Sequence, residues 1–350
     1  MKISETFFNK LSLKLMVGVL TFTLLMSAAA GVIYVNTKPD SVPSTSVSNH
    51  GISKFIKCFD ISDNWKFLFT TKENQPNSIP VINGLRSISC LWILLFHVMW
   101  YMYFTVDNKT FLISYAEKIV FQYISTAPLL VDIFFTISGF LLTYNFLMNS
   151  KKMEEIQKNS LVNNGKVYMK MVLHRYLRLA PLYLVMIGLV EVFTSYADDV
   201  SLFHLEDRND QICSKYWWRN FLFIQNLFEQ NELCLNWTWS LACEMQFFLL
   251  TTALLFLYTK NQTKAKLLFV AGLCGTIIWQ VIIGFRLHYQ LSYDVMFATG
   301  TQIYISPFMR VMPYFLGTAT GWYLANNKSS LLATDVISPL MEKCLWIWPF

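Results

Sequence analysis

Charge is what this sequence has least of. Asp, Glu, Lys and Arg make up 14% of its 350 residues, against 54% hydrophobic and 16% aromatic. A soluble domain carries about 25% charged residues, so the composition excludes an ordinary soluble domain and points to a multi-pass membrane protein. A basic stripe suited to nucleic acid is also missing: the net charge is +6, but Lys and Arg are scattered between apolar runs. That excess reports loop topology rather than a polyanionic partner. Metal spacings are lacking too. The five His and seven Cys form no CxxC or HxxxH pattern, which removes the usual zinc signatures. No internal repeat stands out, and no C-terminal retention signal is present.

What the sequence does have is a series of apolar runs. A bilayer core of roughly 30 Å needs about 20 apolar helical residues. Runs at 15–35, 86–106, 128–148, 179–197, 239–259, 267–286 and 307–325 meet that requirement. The expected fold is all-α, a polytopic transmembrane bundle of about seven complete spans. The final stretch SPLMEKCLWIWPF begins another apolar run and stops. It is either an interfacial aromatic tail or the start of a further span, and the reading adopted is a bundle truncated at its C-terminus. Three regions follow: 1–35, an N-terminal segment with a membrane anchor; 36–80, a cytosolic linker; and 81–350, the main membrane domain. Within the linker, PDSVPSTSVSNH (39–50) is polar and rich in Ser and Pro, as flexible connections are.

Basic residues set the orientation. The segment 149–178 carries Lys151, Lys152, Lys158, Lys166, Lys170, Arg175 and Arg178, so it is assigned to the cytosol. Alternation then puts 36–85 and 260–266 inside, and 107–127, 198–238 and 287–306 outside. The sequons at Asn108 and Asn236 fall outside, whereas those at Asn261 and Asn327 fall inside and are expected to be idle. Cys213 and Cys234 share the large outer loop, where an oxidising compartment permits a disulfide. The AAAG stretch after the first run resembles a signal-peptide end. The strongly basic 149–178 segment favours keeping that run as a span.

One span carries unusual chemistry. In NGLRSISCLWILLFHVMWYMYF (83–104), Arg86 and His97 are eleven residues apart. They therefore differ by roughly 20° around a helix and stand roughly 16 Å apart along its axis. Arg86 falls at the cytosolic headgroup level, where a guanidinium can grip phosphate oxygens. His97 falls near mid-membrane, where a neutral imidazole can take a proton from a hydroxyl or thiol. Two plainer roles stay open: Arg86 as a topology anchor, and His97 as a hydrogen-bonding contact between helices.

Arg-x10-His at the head of a span resembles the signature of the membrane acyltransferase 3 family. Three further stretches agree, in the family's order: VDIFFTISGFLLTYNF (131–146), HRYLRLAPLY (174–183) and WTWSLACEMQFFLL (237–250). Finer features resemble the animal branch called nose resistant to fluoxetine. They are FDISDNWKFLFTTKE (59–73), CSKYWWRNFLFIQNLF (213–228) and SPFMRVMPYFLG (306–317).

The resemblance implies an enzyme that moves an acyl group from acyl-CoA to a hydroxyl of a lipid or carbohydrate acceptor. Acyl-CoA would be a co-substrate, with no resident cofactor and no metal. Arg86, Arg175 and Arg178 would hold the donor's phosphates, since Arg pairs suit phosphate; the topology rule alone also accounts for them. His97 would be the general base. Glu244 would orient His97 or bind the acceptor, or would instead pair with Arg310. Asp132 reads as a helix cap more than as a chemical group. Cys243 is a weak candidate nucleophile, because no base is identifiably adjacent. The Trp-rich 213–228 stretch reads as an outer interfacial segment. A carrier of lipids or small molecules with the same architecture is the alternative activity. The plasma membrane and the endoplasmic reticulum are both compatible locations.

Overall fold

A computed structural model describes residues 5–36, 55–69, 80–116, 118–201, 208–290 and 298–327. The expected linker at 39–50 and the C-terminal aromatic stretch lie outside the described residues. Among the described residues the structure is helical, with no strand. Thirteen α-helices follow one another: α1 (Glu5–Asn9), α2 (Leu11–Asn36), α3 (Ile61–Phe69), α4 (Pro80–Thr105), α5 (Lys109–Ala116), α6 (Ile119–Ser125), α7 (Ala127–Met148), α8 (Ser150–Lys158), α9 (Leu161–Val200), α10 (Asn209–Phe221), α11 (Trp239–Lys260), α12 (Gln262–Arg286) and α13 (Pro307–Asn326). Short 3-10 turns at Gln225–Leu227, Gln230–Glu232 and Asn236–Thr238 join α10 to α11.

Among the described residues, six helices are long and apolar enough to cross a membrane: α2, α4, α7, α9, α11 and α12. The seventh expected span, α13, falls outside that set. It carries Arg310, two prolines and the small residues Gly317, Thr318, Thr320 and Gly321. Its apolarity is low because much of it faces protein: Val311, Tyr314, Phe315, Gly317, Thr318 and Gly321 are buried.

The chain folds as two compact units, Met1–Pro80 with Gly188–His204, and Val81–Ile187 with Leu205–Phe350. In the first unit α2 runs antiparallel to the last turns of α9. Lys10 Nζ donates to Ser195 Oγ at 2.5 Å, and Met16 lies over Gly188.

The second unit is organised around α7, α11 and α13. A methyl group added at Gly317 would lie 1.9 Å from the Thr136 carbonyl, and one at Gly321 2.6 Å from the Phe140 carbonyl. The reciprocal contact is Gly139 against the backbone of Tyr314. These glycines let two backbones approach to a distance no side chain would permit, as small residues do in membrane helix pairs. Both pairings advance in the same sense along the chain, so α7 and α13 are parallel. Phe135 beside Trp239 and Phe247, and Phe146 beside Phe256, make α7 parallel to α11 as well. All three helices therefore cross in one sense, which is what alternation of the spans requires. Phe135, Trp239, Cys243, Phe247, Val311, Tyr314 and Phe315 form the shared core.

α9 differs from its sequence reading. The segment 149–178 is not a loop but α8 followed by the first half of a 40-residue helix. α9 runs through Pro181 without ending; one lost backbone hydrogen bond does not break a helix whose neighbours hold it. The side chains at 164, 168, 171 and 175 recur at helical spacing and find partners. Asn164 donates to the Ile156 carbonyl at 2.9 Å, Tyr168 to the Leu249 carbonyl at 3.1 Å, and Lys152 approaches Met171 Sδ at 3.0 Å.

Candidate functional site

Glu244 lies about one and a half turns into α11. A lone carboxylate there is costly to hold in a membrane. Arg175 resolves the problem: its Nη2 donates to Glu244 Oε1 at 2.5 Å, and Ser138 Oγ of α7 donates to the same oxygen at 2.8 Å. Three helices thus converge on one carboxylate. The pair is only 22% and 27% exposed, and the Arg175 guanidinium stacks over the Phe248 ring at 4.5 Å.

The pairing follows from the register of α9 on α11. Tyr168 meets Leu249, Arg175 meets Glu244, and Tyr183 meets Thr238 at 2.7 Å. One residue number rises as the other falls, so the two helices are antiparallel. Arg175 consequently sits beside the first turns of α11, the end that the basic-loop reading assigns to the outer side, and away from the cytosolic mouth expected for it. Arg178, one turn on, is exposed and has no ion-pair partner among the described residues.

Arg310 does not join Glu244. Its Nη1 contacts Asp132 at 3.3 Å, its Nε donates to the Tyr304 carbonyl at 2.9 Å, and its guanidinium lies 4.7 Å from the Tyr304 ring. Asp132 is therefore an ion-pair partner tying the start of α7 to the start of α13. Cys243 is fully buried, where Asn226 Nδ2 donates to its sulfur at 3.1 Å; that places it in packing. Gln246 bonds Asn226 and the Phe223 carbonyl.

On α4, Leu85, Ile88, Leu91, Leu94, Leu95, Val98 and Met102 are exposed. Arg86, Ser89, Ile93, His97 and Trp100 make up the less exposed stripe. Arg86 and His97 thus share a face. His97 Nδ1 is 2.8 Å from the Ile93 carbonyl, and its ring abuts Phe96. With Nδ1 committed to a backbone carbonyl as donor, Nε2 is the nitrogen left to accept a proton. The structure does not bring His97 to Glu244. Trp92 fixes the helix from one side, stacking on Tyr123 at 3.7 Å and donating to its carbonyl at 2.9 Å.

Above this centre, α10 and the 3-10 turns build a cap. Cys213 and Cys234 form a disulfide. Asn220 Nδ2 donates to the Tyr183 hydroxyl and the Cys234 carbonyl, both at 2.7 Å; Gln225 Nε2 donates to the Tyr183 hydroxyl and the Thr238 carbonyl, both at 3.0 Å. α10 has reversed amphipathicity: Asn209, Asp210, Cys213, Arg219 and Asn220 point inward, while Trp217, Trp218 and Phe221 are exposed. Arg219 pairs with Glu232 at 2.7 Å. The Glu232 carboxyl is held below its usual range, first by that hydrogen bond and then by one from Tyr216.

Sequence comparison fits this architecture. A model of the acyltransferase domain, of the acyltransferase 3 type, matches residues 79–339. The chain belongs to the acyltransferase 3 family. Nose resistant to fluoxetine protein 6 of Caenorhabditis elegans is 29% identical over 312 residues, 83% of this chain and 37% of that protein. Peptidoglycan O-acetyltransferase OatA of Listeria monocytogenes is 25% identical over 260 residues, 72% of this chain and 35% of that protein. The chain thus spans little more than a third of the length of these relatives. No solved structure matches it.

As an acyltransferase 3 member with six helices long and apolar enough to cross a membrane among its described residues, the chain is an integral multi-pass membrane protein. Ser138 and Tyr314 escaped the sequence reading. Ser138 stood inside the quoted FFTISGF stretch, but only the register of α7 on α11 shows that it reaches Glu244. Tyr314 had no signal beyond an aromatic in an apolar run.

Proposed function

We propose that this chain transfers an acyl group from acyl-CoA, entering from the cytosolic side, to a hydroxyl of a lipid or carbohydrate acceptor. The observation that carries this reading is the α4 stripe, with Arg86 and His97 on one face of a spanning helix. Arg86 has no ion-pair partner among the described residues, which leaves its guanidinium group free for donor phosphates; Arg178, one turn beyond Arg175 toward the start of α11, lies away from that side. Arg175, grouped with them by sequence, is instead engaged by the partly buried Glu244. His97 Nε2 takes the proton from the acceptor hydroxyl as it attacks the thioester carbonyl. Glu244 acts through Arg175 and Ser138, which it holds in place.

The test uses the full chain purified in lipid nanodiscs, with CoA as the probe. CoA is expected to raise the thermal midpoint of the wild type and to lose that effect in Arg86→Ala. Equal stabilisation of both proteins would remove Arg86 from the donor site. No stabilisation of either would favour a carrier, which has no need of CoA.

A further inference from the structure

The cap turns its large apolar side chains outward. On α10 and the residue after it, Trp217, Trp218, Phe221 and Leu222 are between 38% and 54% exposed. With the exposed Ser214 they recur at the spacing of one helical face,. The opposite face is held. Cys213 is in the disulfide, Asn209 Oδ1 accepts from the Leu235 amide at 3.2 Å, and Asn220 bonds the Tyr183 hydroxyl and the Cys234 carbonyl. α10 therefore cannot roll its tryptophans inward. Single exposed apolar residues are ordinary, but a contiguous patch marks a surface that something covers.

α10 is fastened to a spanning helix. The Tyr176 hydroxyl of α9 donates to the Phe221 carbonyl at 3.2 Å, and the two rings meet at 5.7 Å. About two turns on, Tyr183 receives the Asn220 amide. This stretch of α9 runs beside the first turns of α11, where Arg175 meets Glu244 and Tyr183 meets Thr238. It is the end that the basic-loop reading assigns to the outer side. The neighbouring surface of α9 is apolar and exposed, with Leu173, Leu177 and Leu182, the kind of face that lipid tails match. The contact between Phe221 and Tyr176 joins the α10 stripe to that surface.

We propose that α10 is an interfacial helix whose Trp217, Trp218, Phe221 and Leu222 are seated in the outer leaflet, where headgroups give way to acyl chains. Amphipathic helices bury an apolar face about 5–10 Å into that boundary. Indole rings suit it, with an apolar body and an N–H that stays wet. The disulfide and the buried amides fix the other face, so the stripe is presented ready-made and not assembled on contact. The bilayer thereby braces the cap against the turns of α9 that carry Arg175 and Tyr183. This seating holds whether or not the chain transfers acyl groups.

The test uses the full chain labelled with fluorotryptophan in phosphatidylcholine nanodiscs and read by fluorine NMR. Trp217→Phe and Trp218→Phe assign the two resonances by the one each removes, and the Tyr variants repeat the assignment should either fail to fold. One set of discs carries phosphatidylcholine spin-labelled near the carbonyl end of an acyl chain. A second set has unlabelled lipid and a soluble gadolinium chelate. The spin-labelled lipid is expected to broaden both resonances of the wild type until they are lost. Either resonance staying sharp in those discs would overturn the seating. Broadening by the chelate would then place the stripe in water, and sharp lines with both reagents would mean that a protein surface, such as a second copy, covers it.

Discussion

The Arg175–Glu244 pair is the contact on which the helix register depends, and its removal has a defined cost. Taking away one partner of a buried ion pair leaves an uncompensated charge and destabilises by about 3–5 kcal/mol. The side chains here are 22% and 27% exposed, so the low end applies, about 3 kcal/mol. Glu244→Gln strands the guanidinium; Arg175→Met strands the carboxylate, with the Ser138 hydroxyl as its remaining donor. The double variant strands neither. Replacing both charged partners together is often neutral, so the double variant is expected to lose less than either single one. The coupling in the double-mutant cycle is then about 3 kcal/mol or more. Reversible unfolding in mixed detergent micelles, followed by tryptophan fluorescence, reads all four proteins. If the two single losses simply add, the side chains do not interact and the antiparallel register of α9 on α11 is wrong at this point.

Three further outcomes follow from the packing and the cap. Gly317→Val puts a side chain where even a methyl group lies 1.9 Å from the Thr136 carbonyl; α7 and α13 must separate, at a cost of at least about 1–3 kcal/mol, whereas Gly275→Val on α12, with nothing within 4 Å, is expected to change stability little. Reducing Cys213–Cys234, which closes a loop with a sequence separation of 21, is expected to cost about 3 kcal/mol, read as a lower unfolding midpoint in reductant than in buffer. The Glu232 carboxyl has a folded pKa below its unfolded value. Its stabilisation of the cap is therefore complete above the ordinary carboxylate pKa and disappears as pH falls through the depressed one. Acid loss of cap protection in hydrogen exchange should flatten in Glu232→Gln, and an unchanged acid profile would remove the Arg219 pair from the cap's stability.

The helical fold was legible because the bilayer imposes length and apolarity together, and six of the apolar runs appear as helices with the required character. α13 was legible as a helix but not as a weakly apolar one, because its glycines and threonines face α7 and not lipid. The 149–178 segment misled for a physical reason: basic residues mark a cytosolic side, yet they do not end a helix, and Pro181 does not either. Arg86 and His97 were placed on one face from spacing alone, since a helix's angular period is fixed. The partners of Arg175, Glu244 and Arg310 were not readable, because each needs the register between helices distant in the chain. Sequence left Glu244 with several candidate partners, including Arg310; packing gave it Arg175 and Ser138, and gave Arg310 to Asp132. The disulfide was readable because two cysteines shared one outer loop. The cap's buried amides were not, since Asn220 and Gln225 look like ordinary loop residues.

The central claim is that an imidazole on α4 accepts a proton during acyl transfer from CoA. Its most direct test is His97→Ala in the full chain, assayed with radiolabelled acetyl-CoA in membranes that contain the native acceptors. Label incorporation is expected to fall to background while expression and thermal midpoint match the wild type. Incorporation close to wild type would contradict it.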